Sequence, residues 1–224
     1  MPKISGIIFD LDGTLLDTLV DIADAFNTVL RKRSLPVHPP ARYREFVGEG
    51  PRVLAERALP ESHRLPETIE ECLKSYLEAY RGNPNPSARP YPGIPVLLDA
   101  LSERRVPMAV VSNKEQAAAD IAVGNLLGAW RFSPVFGFRD GVPKKPAPDM
   151  ALAAAATLGL APEQIAFVGD TAVDMKTAAA AQMMPVGVLW GFRGEEELRA
   201  HGAKILLEHP QALLSHLQGT LWSP

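Results

Sequence analysis

Three aspartates of the sequence, Asp10, Asp12 and Asp170, supply carboxylate oxygens that suit a magnesium ion beside a phosphoryl group. Mg²⁺ binds few protein carboxylates together with waters and phosphate oxygens, whereas crowded carboxylates without a cation repel one another. A carboxylate can also attack phosphorus to form an aspartyl phosphate, and Asp12, two residues after Asp10, could transfer the protons. Asp174, one helical turn after Asp170, is expected to orient metal-bound water or a lysine.

Donors for a phosphoryl group stand elsewhere in the chain. Phosphoryl transfer is catalysed mainly by positioning and by charge stabilisation, so a site needs hydroxyl, amide or cationic groups around the transferred group. Ser112 offers a hydroxyl, Asn113 an amide and Lys145 a positive charge. The alternative for Lys145 is an ordinary solvated loop lysine. The prolines on both sides of it, Pro143 and Pro146, restrict the backbone and favour a functional role.

Short apolar runs that end near these residues predict strands, and helical stretches lie between the later runs. The strand runs cover residues 4–9, 108–111, 165–168 and 186–189, and the helical stretches cover 115–127, 148–158, 172–181 and 195–201. Alternation of strand and helix predicts an α/β fold with a parallel sheet and helices on its faces. Ligands of such sheets bind beyond the carboxyl ends of the strands, so the polar residues are expected to converge there.

The segment from about Asp17 to Ala88 breaks this alternation. It has helical periodicity and no convincing strand, and it ends in a turn-rich linker over residues 82–90. We interpret it as a helical insertion between the first strand and the rest of the sheet.

Composition excludes several classes of protein. A net charge of −3 over 224 residues gives no reason to expect nucleic acid or an anionic membrane as partner. The single cysteine, Cys72, allows no intramolecular disulfide, which predicts a cytoplasmic location. We find neither a signal peptide nor an apolar run long enough to span a bilayer. The five histidines fall at no recognised metal-ligand spacing.

The ordered set of motifs resembles that of the haloacid dehalogenase (HAD) superfamily. The matching residues are Asp10-x-Asp12-Gly13-Thr14, Ser112-Asn113-Lys114, Lys145-Pro146 and Gly169-Asp170-Thr171-x-x-Asp174. The resemblance implies a Rossmann-like core over residues 1–16 and 89–224 and a helical cap domain over residues 17–88. It implies Asp10 as nucleophile and Asp12 as general acid and base, with Mg²⁺ held by the Asp10 side chain, the Asp12 backbone carbonyl and Asp170.

Three further segments, residues 46–51, 90–94 and 189–192, resemble bacterial phosphoglycolate phosphatases. This resemblance implies a phosphoric monoester hydrolase of carbohydrate metabolism whose substrate is 2-phosphoglycolate. In the first segment, Gly48, Glu49 and Gly50 suggest a tight cap loop that closes over a small substrate. A plain turn between helices is the alternative, and Glu49 is expected to point away from an anionic substrate.

Other readings of the same motifs stay open. A sugar phosphomutase similar to β-phosphoglucomutase would share the acid and base, and a non-catalytic binding module could keep the fold. Dehalogenases of the superfamily lack the second aspartate, so Asp12 argues against them. The expected partner is a small phosphorylated metabolite, and the chain is expected to be a monomer or homodimer.

Arg105 and Gln182 stand where the family has glycine at helix ends, which is expected to cost about 1 kcal/mol each or to change how the helices end.

Overall fold

The computed structural model describes residues 3–82 and 86–220, which form eight strands and ten α-helices. The strands are β1 (Gly6–Phe9), β2 (Leu16–Asp17), β3 (Arg89–Pro90), β4 (Met108–Glu115), β5 (Val135–Phe138), β6 (Ile165–Gly169), β7 (Met184–Val188) and β8 (Ile205–Leu207). Six of them form one parallel sheet in the order β5-β4-β1-β6-β7-β8. The predicted α/β fold with a parallel sheet is confirmed.

The helices cover both faces of this sheet and also form a separate group. They are α1 (Leu19–Lys32), α2 (Tyr43–Phe46), α3 (Pro51–Ala58), α4 (Pro66–Gly82), α5 (Ile94–Glu103), α6 (Gln116–Leu126), α7 (Asp149–Leu158), α8 (Ala172–Ala180), α9 (Glu195–Ala200) and α10 (Ala212–Thr220). Within the part of the chain that the structure describes, no helix has the length and apolarity needed to cross a membrane.

Two apolar cores enclose the central strands. Successive side chains of a strand point to opposite faces, so Ile7 and Phe9 join a core with α5 and α6, whereas Ile8 joins a core with α7 and α8. Burial on both faces explains why the central strands are continuous apolar runs without polar alternation. β1 pairs with β4 on one side and with β6 on the other, so the carboxyl ends of these three strands lie side by side.

Helices α1 to α4, which we call the cap helices, have a core of their own that includes Phe26, Tyr43 and Tyr76. Strands β2 and β3 pair antiparallel where this segment leaves and rejoins the sheet domain, with Leu16 opposite Pro90. This arrangement agrees with a helical insertion, and we keep the boundaries at residues 17 and 88 as a proposal.

Several short strands were not predicted. β5 and β8 are edge strands of four and three residues, too short for a period of two to be recognised in the sequence. The expectation that the segment from Asp17 contains no strand is wrong for Asp17 itself, which pairs with Arg89 in β2 and β3. Of the predicted turn-rich linker, residues 83–85 lie outside the described residues.

Arg105 and Gln182 adopt the left-handed conformation that favours glycine, with φ of 54° and 59°. Each follows the end of a helix, and its backbone N–H donates to a carbonyl three residues earlier. The helices therefore end as they would with glycine, at a cost of about 1 kcal/mol for each residue.

Candidate active site

The candidate site lies at the carboxyl edge of the three central strands. Asp10 directly follows β1, Asp170 directly follows β6, and Ser112 and Asn113 lie near the end of β4. All four side chains are buried, as is Lys145 in the loop before α7. The predicted convergence is therefore what the structure contains, although Lys145 is 135 residues from Asp10 in the chain.

Three carboxylates form a compact group that could hold a cation. Asp10, Asp170 and Asp174 each offer one carboxylate oxygen, and these oxygens lie within 4.8 Å of one another. Carboxylate oxygens are the ligands that hard divalent cations prefer in proteins. The three side chains could therefore hold such a cation. Asp174, expected from sequence to support the site, is a candidate ligand as well.

The pKa values of two carboxyl groups at this site, Asp10 and Asp170, are raised. Burial raises the pKa of Asp10, the Lys145 ammonium lowers it and the Asp174 carboxylate raises it, so that it lies at about 7 instead of 3.8. Burial and the neighbouring carboxylates Asp174 and Asp10 also raise the pKa of Asp170 well above its ordinary value. A divalent cation would favour the ionised form of both side chains.

Lys145 is a buried ion-pair partner and not a solvated loop lysine. Its Nζ donates to one oxygen of Asp10 and one oxygen of Asp174, both at 2.7 Å. Burial acts to lower the pKa of the Lys145 ammonium, but the two carboxylates more than offset this, and the pKa lies above its usual value. A fixed positive charge therefore lies beside the carboxylate that would attack phosphorus.

Asn113 positions the Lys145 loop. Its Oδ1 accepts a hydrogen bond from the Lys145 backbone N–H at 2.9 Å, and its Nδ2 donates to the Lys145 carbonyl at 3.0 Å and to the Gly48 carbonyl at 3.2 Å. Both amide hydrogens are thus used by backbone carbonyls. This differs from the expectation that the Asn113 amide is a donor to phosphate, because a side chain that holds two loops has no hydrogen left for a ligand.

Asp170 is held by neighbours on both sides. One oxygen accepts from the Thr14 hydroxyl at 3.1 Å and the other from the Phe192 backbone N–H at 2.8 Å. Gly13, with φ of 90°, passes so close that a Cβ there would collide with the Asp170 carboxylate. The Asp170 carboxylate therefore accounts for two features: position 13 needs glycine, and the Phe192 backbone N–H points toward this side chain.

Asp174 connects its helix to the lysine. Its Oδ2 accepts hydrogen bonds from the Thr171 backbone N–H at 3.0 Å and the Thr171 hydroxyl at 2.7 Å. Its Oδ1 remains for Lys145. The first turn of α8 fixes this carboxylate, as the predicted role in orienting Lys145 requires.

Asp12 has different partners from the three grouped carboxylates. Its Oδ1 accepts from the Thr18 hydroxyl at 2.8 Å, and both its oxygens accept from the Lys114 Nζ at 3.0 Å. Neither Thr18 nor Lys114 is among the predicted site residues. Lys114 directly follows Asn113, and its place in the strand-end motif is the one signal that could have identified it.

Ser112 lines a cavity that Asp10 and Asp12 also line. Its hydroxyl oxygen accepts a hydrogen bond from the Lys114 backbone N–H at 3.2 Å. The hydroxyl hydrogen can still be donated to a ligand. The residue is 3% exposed, so a phosphoryl group bound there would be shielded from water.

The cap loop (residues 47–50) closes the cavity from the opposite side. Gly48 and Gly50 have φ of 115° and 92°, and both line the cavity. Glu49 instead forms an ion pair with Arg57 on the outside, as expected of a carboxylate near an anion site. The cavity has a volume of about 70 Å³, and its cap side is mainly apolar, with Val47, Leu54, Tyr76, Leu77 and Tyr80.

Two arginines that sequence reasoning missed join the cap helices to the sheet domain. Arg193 donates to the Arg44 and Val47 carbonyls, and Arg44 donates to the Gly191 carbonyl at 3.1 Å. Arg44 lies in α2, directly before the cap loop, and Arg193 directly follows Phe192. Cys72 is buried in the cap core, where burial raises the pKa of its thiol, as expected of a structural cysteine.

Comparison with known proteins gives one family. The model of the haloacid dehalogenase-like hydrolases matches residues 7–188. A phosphoglycolate phosphatase of Aquifex aeolicus is 37% identical over 188 residues, which cover 83% of this chain and 85% of that protein. An N-acetylmuramic acid 6-phosphate phosphatase of Pseudomonas aeruginosa is 31% identical, covering 98% of this chain and 97% of its own.

Solved structures agree with this assignment. A haloacid dehalogenase-like hydrolase from Streptococcus pneumoniae has a TM-score of 0.87 at 27% identity, over 97% of this chain and all of that one. A structure from Lactobacillus delbrueckii, provisionally named phosphoglycolate phosphatase, has a TM-score of 0.89 at 28% identity, also over 97% of this chain and all of that one. The resemblance inferred from the motifs is confirmed, and so is the prediction of a hydrolase: the chain belongs to the haloacid dehalogenase-like hydrolase family.

Proposed function

We propose that this hydrolase is a Mg²⁺-dependent phosphatase that cleaves a small phosphate monoester through an aspartyl phosphate on Asp10. The observation that carries the proposal is the buried group of Asp10, Asp170 and Asp174 with the Lys145 ammonium between two of its carboxylates. Carboxylates with raised pKa values in a cavity mark a candidate site for chemistry, and this group combines a nucleophile, a cation site and a fixed positive charge.

In the first step, a carboxylate oxygen of Asp10 attacks phosphorus and the bond from phosphorus to the ester oxygen breaks. Asp12 donates a proton to the departing oxygen. In the second step, Asp12 takes a proton from water, the water oxygen attacks phosphorus, and the bond to Asp10 breaks to release phosphate and restore the carboxylate. Asp12 suits this task because it lies two residues from Asp10, lines the cavity and is outside the group of three carboxylates.

The remaining residues hold and neutralise the transferred group. We assign the cation to the Asp10 and Asp170 carboxylates and the Asp12 backbone carbonyl, with Asp174 as an adjacent carboxylate; when bound, Mg²⁺ supplies charge neutralisation at the phosphoryl oxygens. Lys145 adds positive charge beside Asp10, and the Ser112 hydroxyl donates to a phosphoryl oxygen. Asn113 serves as a positioning residue through the Lys145 backbone.

For the substrate we propose 2-phosphoglycolate. The Aquifex aeolicus relative carries phosphoglycolate phosphatase as its name, and a cavity of about 70 Å³ suits a small leaving group. N-acetylmuramic acid 6-phosphate is a second candidate, because the relative of that name matches nearly the whole chain. A sugar phosphomutase shares the same acid and base and is distinguished by its product.

We also keep the cytoplasm as the proposed location, since the single cysteine suits a reducing compartment.

The test is a panel of phosphorylated metabolites, with phosphate release and sugar-phosphate isomerisation both measured with and without Mg²⁺. We expect phosphate release from 2-phosphoglycolate, its loss on chelation and its return with Mg²⁺. Asp10→Asn should abolish turnover while the protein still unfolds cooperatively. Isomerisation without phosphate release would favour the mutase. No turnover of any ester by the Mg²⁺-loaded protein would favour a non-catalytic binding module.

A further inference from the structure

Lys114 is a buried cation that faces the cavity. Its side chain is 7% exposed, and its Nζ lies 3.0 Å from both oxygens of Asp12 and 4.5 Å from the centre of the Tyr80 ring. Among the described residues that line this cavity, it is the only lysine or arginine. The steps proposed above use Lys145 and leave Lys114 without a task.

The surroundings of Lys114 explain why its charge needs an anionic partner. The cap side of the cavity near it is formed by side chains such as Leu77 and Tyr76. Glu115, the other carboxylate close in sequence, pairs with Arg81 and caps α6 through the Ala118 backbone N–H. An ammonium enclosed by apolar groups is costly unless an anion accompanies it, and in this structure the Asp12 carboxylate pairs with it.

The position of Lys114 relative to Asp12 places it beside the leaving group. If Asp12 protonates the ester oxygen, that oxygen lies about 2.7 Å from an Asp12 oxygen, and therefore at most about 6 Å from the Lys114 Nζ. A carboxylate one carbon beyond the ester oxygen can bridge this distance with a hydrogen bond to the ammonium. A neutral substituent at the same place would face the cation without neutralising it.

We propose that Lys114 is a specificity-determining residue, whose ammonium binds an anionic group carried by the leaving group of the substrate. The inference rests on the proposed phosphatase function and deepens it: the preferred substrates are phosphate monoesters with a carboxylate one or two carbons from the ester oxygen. Tyr80 supports the assignment, because its ring covers the ammonium and holds it within the cavity.

The experiment compares 2-phosphoglycolate with 2-phosphoglycolamide, an isostere that keeps the phosphate and has a neutral amide in place of the carboxylate. The unchanged protein should prefer the acid in kcat/KM. Lys114→Met removes the ammonium but keeps the apolar stem, and should lower kcat/KM for the acid about tenfold more than for the amide, the loss expected for one charge-assisted hydrogen bond. The difference should appear mainly in KM. Lys114→Met also removes the contact of Lys114 with Asp12, which should affect the hydrolysis of both substrates equally. The ratio of kcat/KM for the acid to kcat/KM for the amide therefore decides the test.

Lys144→Met is the matched control. Lys144 lies at the edge of the same site, over the Phe138 ring and close to Gly50, so its removal changes net charge equally and should leave the acid-to-amide ratio unchanged. Lys114→Arg should retain the preference for the acid.

An equal loss for both substrates in Lys114→Met would overturn the inference and leave the phosphatase function standing. So would an unchanged protein that hydrolyses the acid and the amide equally well, a result that needs no folded variant. Absence of phosphate release from every ester would instead overturn the phosphatase function, and the inference with it.

Discussion

The side chain of Asn113 holds the backbone of Lys145 from both sides. Its Oδ1 accepts from the Lys145 N–H at 2.9 Å, and its Nδ2 donates to the Lys145 carbonyl at 3.0 Å. The end of β4 thereby fixes the loop whose lysine neutralises Asp10. The same Nδ2 reaches the Gly48 carbonyl, so one amide connects the strand end, the lysine loop and the cap loop.

Asn113→Ala should therefore lower the rate of aspartyl phosphate formation without removing any group that contacts the substrate. Lys145 would lose two backbone hydrogen bonds that hold it in place, and misplaced catalytic groups lower rates strongly. We expect kcat to fall by about a hundredfold, measured by rapid mixing as a smaller and slower burst of product.

Asn27→Ala is a suitable control for this variant. Asn27 holds His38 in the same manner, with Oδ1 accepting from the His38 N–H at 3.0 Å and Nδ2 donating to its carbonyl at 2.8 Å. Both variants should lose unfolding free energy of about 1–3 kcal/mol. If Asn27→Ala slowed the burst as much as Asn113→Ala, general destabilisation would explain the result and the positioning role would be wrong.

Removal of the Lys145 charge should lower both the stability and kcat, and only the stability should recover with Mg²⁺. Lys145→Met leaves the Asp10 and Asp174 carboxylates without their buried cation, so the metal-free protein should lose about 3–5 kcal/mol of unfolding free energy. Mg²⁺ should restore part of this stability, because it neutralises the same carboxylates. It should not restore kcat, which we expect to fall by about 10²–10³. Denaturant unfolding with and without Mg²⁺, beside steady-state kinetics, measures both.

Lys176→Met provides the comparison, since Lys176 is exposed on α8. It should change neither quantity appreciably. Kinetics of Lys145→Met that match those of Lys176→Met would show that Lys145 has no catalytic role and that its ion pairs are structural.

Much of the fold and of the site could be predicted because parallel sheets impose it. Once residues 4–9, 108–111 and 165–168 are recognised as neighbouring strands, Asp10, Ser112 and Asp170 have to meet at their carboxyl ends. The family resemblance adds the order of the motifs. The edge strands β5 and β8 could not be recognised, since three or four residues show no period.

The missing site residues depend on side-chain contacts between distant segments. The contact of Lys114 with Asp12 spans 102 residues, and nothing in the spacing of the chain favours that partner over solvent. The Asn113 amide was expected to bind phosphate because the residue type allows it. Only the packed structure shows that both its hydrogens bind carbonyls.

Stability should depend on pH and Mg²⁺ together. The pKa of Asp10 is raised from 3.8 to about 7, so the folded protein binds a proton that the unfolded chain releases. Stability from this group is present in full below about pH 4 and is lost as the pH rises through about 7. Mg²⁺ removes the need for that proton. The rise in melting temperature on adding Mg²⁺ should therefore be larger at pH 8 than at pH 5.

Asp10→Asn should abolish most of this difference, because the amide does not titrate and is a weaker ligand for a cation. Thermal unfolding at the two pH values, with EDTA or Mg²⁺, provides the comparison. A Mg²⁺ effect of equal size at both pH values in the unchanged protein would contradict the assignment of Asp10 to the cation site.

The two arginines at the boundary of the cap helices should control how tightly the cavity closes. Arg193 donates to the carbonyls of Arg44 and Val47, and Arg44 donates to the Gly191 carbonyl. These bonds connect α2 and the start of the cap loop to the loop whose Phe192 N–H holds Asp170. Arg193→Met removes the donors and should loosen the cap loop while the sheet stays intact.

We expect Arg193→Met to raise KM by about tenfold, the equivalent of one hydrogen bond to a charged group, with a smaller change in kcat. Hydrogen exchange should increase at residues 44–50 and stay unchanged in β1 and β6, because local opening affects only the loops that lose contacts. Arg199→Met is the control: Arg199 is an exposed α9 residue paired with Glu195, and its loss should alter neither KM nor exchange. Unchanged exchange at residues 44–50 in Arg193→Met would show that other contacts keep the cap closed.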